Sequence, residues 1–329
     1  MRYPEDYVNR IIQGDCLEVM KGIPDKSIDM VLCDLPYGTT ACSWDTIIPL
    51  DLLWEQYKRI IKDNGVIVLT ASQPFTSMLV MSNIKMFKYE WIWIKNRASR
   101  FLSTKTQPLK KSEDILVFDK MSSYDEEYTD RRRIYFKNIL SFIGKSRAQI
   151  VSETNQGLDH CFRFGSLQFD MPTKKNYQLL IDLYGIDKMD GFIEYDKNVF
   201  NIKYNPLGLR KIKNPKEKGS IKGSNGDVYS LNRKTYKEEF TNYPNNVLYF
   251  DCESGLHPTQ KPVALFEYLI KTYTNEGDLV LDNCAGSGTT GVACRNTNRN
   301  YILIEIEKKY CDIARKRLAN VPEKLEEWM

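Results

Sequence analysis

The sequence is poor in the residues on which metal and thiol chemistry depend. Only two histidines, His160 and His257, occur in 329 residues, and the eight cysteines are scattered with no CxxC pair. Zinc sites draw on clustered Cys and His, and disulfide frameworks on an organised set of Cys, so neither is expected. The cysteines read as reduced thiols of a cytoplasmic protein, several of them in the core, and no metal is expected. With so little histidine, Ser-His-Asp catalysis starts from a weak position as well. No apolar run approaches the roughly 18 to 20 residues of a membrane span. The opening residues, MRYPEDYVNR, lack the apolar stretch of a secretory signal, so neither membrane insertion nor Sec-type export is expected. Charge of one sign is also scarce. Against 47 Lys and Arg stand 43 Asp and Glu, a net charge of only +4.

What is present is ordinary globular material, 42% hydrophobic and 27% charged, with a length that suggests two domains. Short runs rich in β-branched or aromatic residues predict strands over 10–13, 30–33, 66–69, 90–94 and 115–118. A helix is predicted over 52–62, from the spacing of Leu53, Tyr57, Ile60 and Ile61. Strands alternating with helices suggest a mostly parallel sheet covered on both faces. The pattern breaks after Lys120, turns lysine-rich and irregular, and includes a Gly, Ser, Asn and Lys-rich loop at 213–227. It resumes near Leu256, with a helix led by Pro262 and faced by Val263, Phe266, Ile270 and Tyr273. Strands follow at 279–281 and 301–304, with a helix from about Thr289 between them. One α/β domain (1–120 plus 255–329) interrupted by an insert (121–254) is the expected organisation.

The segment LVLDNCAGSGTTGVA places Gly286, Gly288 and Gly291 in a G-x-G-x-x-G turn after a strand and opening a helix. Such glycines let the backbone turn tightly and approach a ligand, and the helix N-terminus offers unpaired N–H groups. Glu305 closes the next strand, where an acid can bind ribose hydroxyls. Taken alone, the turn is equally a dinucleotide fingerprint. Only 24 residues follow Glu305, too few for the rest of a conventional dinucleotide domain. The strand also ends in Asp282, which suits a cationic ligand better than a pyrophosphate. S-adenosylmethionine, with a sulfonium, an ammonium and a ribose but no phosphate, is the better match.

A second strand ends in Asp34-Leu35-Pro36-Tyr37, followed by a Gly-containing loop. Open α/β sheets build their sites at such strand ends. An exocyclic nucleobase amine is a poor nucleophile because its lone pair is delocalised into the ring. Two acceptors, the Asp34 carboxylate and the Leu35 carbonyl, would draw that nitrogen toward tetrahedral geometry. Pro36 stiffens the turn, and Tyr37 offers a flat face for an extruded base.

These motifs resemble those of the S-adenosylmethionine-dependent DNA amino-methyltransferases, whose catalytic signature is Asp/Asn/Ser-Pro-Pro-aromatic. Asp34-Leu35-Pro36-Tyr37 matches it with Leu35 in place of the first proline. The 282–290 segment matches the cofactor motif through Asp282, Gly286, Ser287, Gly288, Thr289 and Thr290, with Cys284-Ala285 where the family commonly has a phenylalanine-centred pair. Gly14-Asp15-Cys16 resembles the adenine-holding segment, with Asp15 the implied acceptor. His257-Pro258-Thr259-Gln260-Lys261-Pro262 resembles the motif whose Thr and Lys, here Thr259 and Lys261, approach the methionine carboxylate. Ser112-Glu113-Asp114-Ile115-Leu116-Val117-Phe118 resembles the element before the last catalytic strand. The catalytic motif precedes the cofactor motif, as in the group β arrangement of the family. The implied fold is a Rossmann-like, circularly permuted methyltransferase sheet with an inserted target-recognition domain, its C-terminal strands completing the sheet beside the N-terminal ones. The implied activity is methyl transfer to adenine-N6 of a flipped base in duplex DNA, because members acting on cytosine-N4 more often carry Ser at the position of Asp34. The alternatives are a cytosine-N4 enzyme and a non-catalytic DNA-binding protein on the same scaffold. Against the latter stand intact Asp34, Tyr37, Asp282 and Glu305. Homodimers are common in the group, restriction endonucleases are partners of some members, and many members come from phages and prophages.

The modest net charge hides an uneven distribution. Residues 131–240 hold 21 Lys and Arg against 12 Asp and Glu, a surplus of nine, which leaves the other residues at −5. Positive charge gathered in an irregular insert favours phosphate contact. A second basic stretch carries Lys95, Arg97, Arg100, Lys105, Lys110 and Lys111 with no acid among them, and by the resemblance would grip the DNA backbone. Helices predicted over 145–155 and 173–184 suggest a helix-turn-helix-like unit, with His160 and Arg163 as candidate base readers.

Overall fold

Residues 28–34 form an unbroken apolar run apart from its two aspartates, the pattern of a strand covered on both faces. In the computed structural model this run is a central strand of an eight-stranded sheet. The structure describes residues 1–38, 45–99, 104–120, 131–166, 168–190, 192, 194–195, 204–212, 217–218, 236–237, 239–253, 255 and 260–321. The elements are β1 (Arg10–Gln13), α1 (Cys16–Met20), β2 (Ile28–Asp34), α2 (Leu50–Ile60), β3 (Ile61–Ala71), α3 (Phe75–Ser82), β4 (Phe87–Ser99) and β5 (Lys110–Asp119). Then follow α4 (Arg131–Ile143), α5 (Arg147–Glu153), α6 (Lys174–Tyr184) and four two-residue strands: β6 (Arg210–Lys211), β7 (Glu217–Lys218), β8 (Tyr236–Lys237) and β9 (Phe240–Thr241). Last come β10 (Val247–Phe250), α7 (Val263–Tyr273), β11 (Leu279–Asp282), α8 (Thr289–Asn296), β12 (Asn300–Glu305) and α9 (Lys308–Ala319).

The sheet order is β1-β12-β11-β2-β3-β5-β4-β10, and only β5 runs against the others. The C-terminal strands β11 and β12 thus lie between the N-terminal β1 and β2, as the motif order leads one to expect. Alternate residues along β2 feed two cores. Val31 and Cys33 pack on one face with Leu53, Tyr57 and Phe75 of α2 and α3. Met30 and Leu32 pack on the other with Phe266, Ile270 and Val292 of α7 and α8.

Two boundaries differ from the sequence reading. The helix predicted over 52–62 spans Leu50–Ile60, because Ile61 turns extended and pairs with Ile28 of β2. A Cβ on Gly65 would meet the Ile61 side chain and the Asp29 carbonyl within 3 Å, so Gly65 serves close packing inside β3. The sequence reading also has no counterpart to β10, which pairs in parallel with β4 although it comes from the stretch read as insert.

Residues 135–189 build a third core of their own around Phe136, Ile139, Leu158, Phe162, Tyr177 and Leu180. Ser146 opens α5 with a reciprocal capping box to Gln149, and Thr173 caps α6, which ends on left-handed Gly185. Between α5 and α6 lie residues 154–173, with 3-10 turns at Gln156–Leu158 and His160–Phe162. That connection is not the three- or four-residue turn of a helix-turn-helix, so that expectation fails. Among the described residues, no helix is long and apolar enough to cross a membrane.

Candidate active site

Four strands end at one edge of the sheet with a polar residue at or just beyond the end: Asp15 after β1, Asp34 on β2, Asp282 on β11 and Glu305 on β12. This is the carboxyl edge, where an α/β sheet opens a crevice. The four residues line one cavity of about 850 Å³, together with Leu35, Pro36, Tyr37, Lys261, Cys16 and the turn residues Cys284, Gly286, Ser287 and Thr289. That volume lies within the range of small-molecule and cofactor sites. Two motifs separated by some 250 residues in the sequence therefore face one space.

The glycine turn is held by carboxylates. Glu305 accepts from the backbone N–H of Gly286 at 2.7 Å and of Glu307 at 2.8 Å. Asp282 accepts from the Cys284 N–H at 3.1 Å and from the Thr290 hydroxyl. Gly286 and Gly288 both have positive φ, and a Cβ on Gly288 would lie 2.8 Å from that of Ala314 on α9. Only glycine takes that conformation and that approach without strain. Burial pushes the Asp282 carboxyl up to about 7, against the pull of its hydrogen bonds with Thr290 and Cys284. Burial raises the Glu305 carboxyl too. Tyr57 donates to Asn283 at 2.5 Å from beneath, and Asp15 spends one oxygen capping α1 at Leu17 N. Cys16 and Cys284 both face the cavity and lie within hydrogen-bonding reach of each other.

Around Asp34 the geometry is that of a charge network. Its Oδ1 accepts from the Tyr37 hydroxyl at 2.8 Å and from the Thr70 hydroxyl, and its Oδ2 lies 2.6 Å from Lys261 Nζ. The Tyr37 ring stacks on Phe75 with centroids 5.4 Å apart, and burial holds its hydroxyl well above the usual phenol range. Lys261 is buried and lies 3.5 Å from Glu113 on β5, which pairs in turn with Lys95 of β4 at 2.9 Å. Burial alone would lower the Lys261 pKa, but the Asp34 and Glu113 carboxylates outweigh it and hold the ammonium charged.

The basic residues of the sequence reading separate into two kinds. Arg97, Lys105 and Lys111 are exposed. Lys95 is buried and lines the cavity, and Lys110 reaches Ser72 Oγ at its wall. Arg163 is engaged with Asp159 and Gln168. Thr259 and Arg100, and most of the 213–227 loop, lie outside the described residues. Among the described residues, no group of three His, Cys, Asp or Glu is arranged to hold a metal ion. Glu113 belongs to a family-like element in the sequence, but its place in a buried ion pair is visible only in the structure, because the pairing depends on β4 and the segment before α7 lying beside β5.

Residues 28–316 match the N6/N4 family model, described as DNA methylase. The chain belongs to the N6/N4 DNA methylase family. It is 54% identical over 65 residues to the type II methyltransferase M2.DpnII of Streptococcus pneumoniae, a match covering 20% of this chain and 24% of that protein. This chain therefore spans about a quarter of that relative's length in the match. The DNA adenine methyltransferase YhdJ of Escherichia coli (strain K12) is 24% identical over 318 residues, covering 94% of this chain and 82% of YhdJ. Among solved structures, the PvuII DNA methyltransferase (cytosine-N4-specific) superposes with a TM-score of 0.50 at 13% identity, over 97% of this chain and 92% of that one. That likeness speaks to the fold, which is the α/β methyltransferase fold.

Proposed function

We propose that this protein is an S-adenosylmethionine-dependent DNA methyltransferase that modifies the exocyclic N6 of an adenine flipped out of duplex DNA. The observation that carries the reading is the convergence of Asp34-Leu35-Pro36-Tyr37 and the carboxylate-braced glycine turn on one cavity. The cavity also fits the cofactor chemically. Buried Asp282 and Glu305 offer negative charge and acceptors to a cationic, ribose-bearing ligand, and no lysine stands in the turn to favour a phosphate. Asp282, Glu305, Asp15 and the backbone of 284–290 would hold the cofactor, while Lys261, which the family resemblance puts near its carboxylate, is committed here to Asp34 and Glu113.

When bound, S-adenosylmethionine would supply an electrophilic methyl group, whose bond to the sulfonium sulfur breaks on transfer and leaves a neutral thioether. The chain's own residues prepare the nucleophile. Asp34 and the Leu35 carbonyl accept the two amine hydrogens, so that the nitrogen lone pair points away from the ring. As the new N–C bond forms, Asp34 receives the proton that the amine sheds and passes it to solvent. Tyr37, backed by Phe75, stacks on the extruded base, which helps offset the few kcal/mol that flipping costs. Residues 121–254 serve target recognition, a role supported by the separate core at 135–189 and by the positive surplus of 131–240.

Nucleoside mass spectrometry of DNA from cells expressing the protein tests the reading directly. N6-methyladenine is the expected product. N4-methylcytosine would move the reading to the other branch of the family, and no methylated base at all would sink it. Asp34→Ala should abolish transfer while leaving cofactor binding intact, whereas Asp282→Ala should lose the cofactor.

A further inference from the structure

Lys261 has two carboxylates within reach and a full bond to only one. Its ammonium lies 2.6 Å from Asp34 Oδ2 and 3.5 Å from Glu113 Oε2. Glu113 Oε2 is buried and makes no hydrogen bond, while Glu113 Oε1 is fixed by Lys95 at 2.9 Å. A buried carboxylate oxygen without a donor is costly and calls for an explanation. The same residues raise a second question. If Asp34 is to accept from a target amine, Oδ1 is already filled by Tyr37 and Thr70, and at Oδ2 the amine would have to share a single carboxylate oxygen with the Lys261 ammonium.

The two puzzles have one answer. We propose that Glu113 is a positioning residue for methyl transfer, receiving Lys261 from Asp34 when the target amine enters, so that Asp34 Oδ2 is free for the amine hydrogen. The inference rests on the reading of Asp34 as the amine acceptor. Closing 3.5 Å to hydrogen-bond length asks the ammonium to move by roughly one ångström, which a four-carbon lysine stem allows. Moving it into an apolar wall would instead strand a buried charge. Lys95 keeps the receiving carboxylate in place and ionised: burial favours the neutral form, but the Lys261 and Lys95 charges outweigh it. The order Lys95, Glu113, Lys261, Asp34 alternates in sign across β4, β5, the lead-in to α7 and β2, and all four residues line the cavity.

The test uses the full chain, labelled S-adenosylmethionine and unmethylated genomic DNA. Glu113→Gln keeps the shape but cannot carry the counter-charge. It should slow single-turnover transfer at saturating cofactor and DNA at least tenfold, with cofactor Kd within threefold of wild type. Glu113→Asp should recover part of that loss. A Glu113→Gln rate within threefold of wild type, or a rate loss matched by a loss of cofactor affinity, overturns the proposal. Asp34→Ala run in parallel separates it from the reading beneath it. If Asp34→Ala retains transfer, the role of Asp34 is wrong and the relay goes with it. If Asp34→Ala is inactive and Glu113→Gln is normal, only the relay falls.

Discussion

Lys261 and Asp34 stand 227 positions apart in the chain, and the fold brings the ammonium of one to 2.6 Å from the carboxylate of the other. Neither residue is exceptional alone. Asp34 ends β2, where the strand register fixes its direction, and Lys261 precedes Pro262, the N-cap of α7. Because β11 pairs with β2, the C-terminal third of the chain is anchored to the N-terminal third at this point. The ion pair therefore connects the end of β2 to the segment that leads into α7.

Lys261→Met should destabilise the protein, since it leaves Asp34 without its cationic partner. Breaking a buried pair costs about 3–5 kcal/mol. The Asp34 side chain is one-fifth exposed, and Tyr37 and Thr70 still donate to it, so about 3 kcal/mol is expected. A drop of roughly 5 °C or more in the thermal midpoint follows. Circular dichroism melts without ligand measure it, and an unchanged midpoint would mean the pair adds no stability.

Gly288→Ala should damage both stability and cofactor binding. Its φ of +78° is left-handed, and the new methyl would approach Ala314 Cβ to 2.8 Å. The backbone term is about 1–2 kcal/mol and the overpacking term about 1–3 kcal/mol. Gly277→Ala is the matched control, with φ of +83° and open space around its Cβ position. The first should weaken S-adenosylmethionine binding at least tenfold, and the second should leave it unchanged. Isothermal titration of both variants decides the point.

The sheet was legible because its strands carry their own pattern: β1 falls where the apolar run at 10–13 predicts it, and β2, β3 and β5 each contain the predicted run. The strand ends that hold Asp34, Asp282 and Glu305 were legible for the same reason. What was not legible depends on pairing across long separations. β10 is four residues long and gains its identity only from β4, and the Lys95–Glu113–Lys261 chain exists only once β4, β5 and the segment before α7 are adjacent. Lys95 illustrates the limit well. In the sequence it is one more cation of a basic stretch, yet strand alternation turns it inward while Arg97 stays exposed after the strand irregularity near Ile94.

Cofactor affinity should rise with pH between about 6 and 8 through Asp282. Burial places this carboxyl at about 7, so at pH 6 most molecules carry it neutral. A cationic ligand favours the ionised form, lowers that pKa and releases a proton on binding. Affinity is therefore weakest on the acid side, gains up to about tenfold per pH unit below 7, and levels off above it. Calorimetry at pH 6 in two buffers of different ionisation enthalpy should register that proton. Asp282→Asn should flatten the profile. A pH-independent Kd in the wild type would remove Asp282 from the vicinity of the ligand's charge.

Phe136→Ala should weaken DNA binding while sparing cofactor binding. The Phe136 ring is fully buried and meets those of Tyr135, Phe162, Phe169 and Tyr177 at 5.6 to 6.4 Å. Its removal costs about 3–5 kcal/mol in the core at 135–189. None of the residues of that core lines the cavity. DNA affinity should fall by an order of magnitude or more while S-adenosylmethionine affinity stays within twofold. Equal losses in both would show that the core at 135–189 and the eight-stranded sheet fold as one cooperative unit.

The exposed and buried members of the basic stretch should differ in how salt acts on them. A lysine that neutralises a phosphate releases counterions, and each such contact steepens the plot of log K against log salt by about 0.9. Lys105, at the β4–β5 connection, and Lys111, near the start of β5, are exposed and placed to reach a backbone, so replacing each with Ala should make the slope shallower by up to that amount. Lys95 is committed to Glu113 inside the cavity, at 2.9 Å and with both side chains largely covered. Lys95→Met should therefore leave the salt slope of DNA binding unchanged while slowing methyl transfer, because Glu113 loses the charge that holds it in place and ionised to receive Lys261. Fluorescence anisotropy with duplex DNA across a salt series, paired with transfer rates, reads both effects. A shallower slope for Lys95→Met would mean that its side chain leaves the cavity for the phosphate backbone, and that the charge chain beside Asp34 opens when DNA binds.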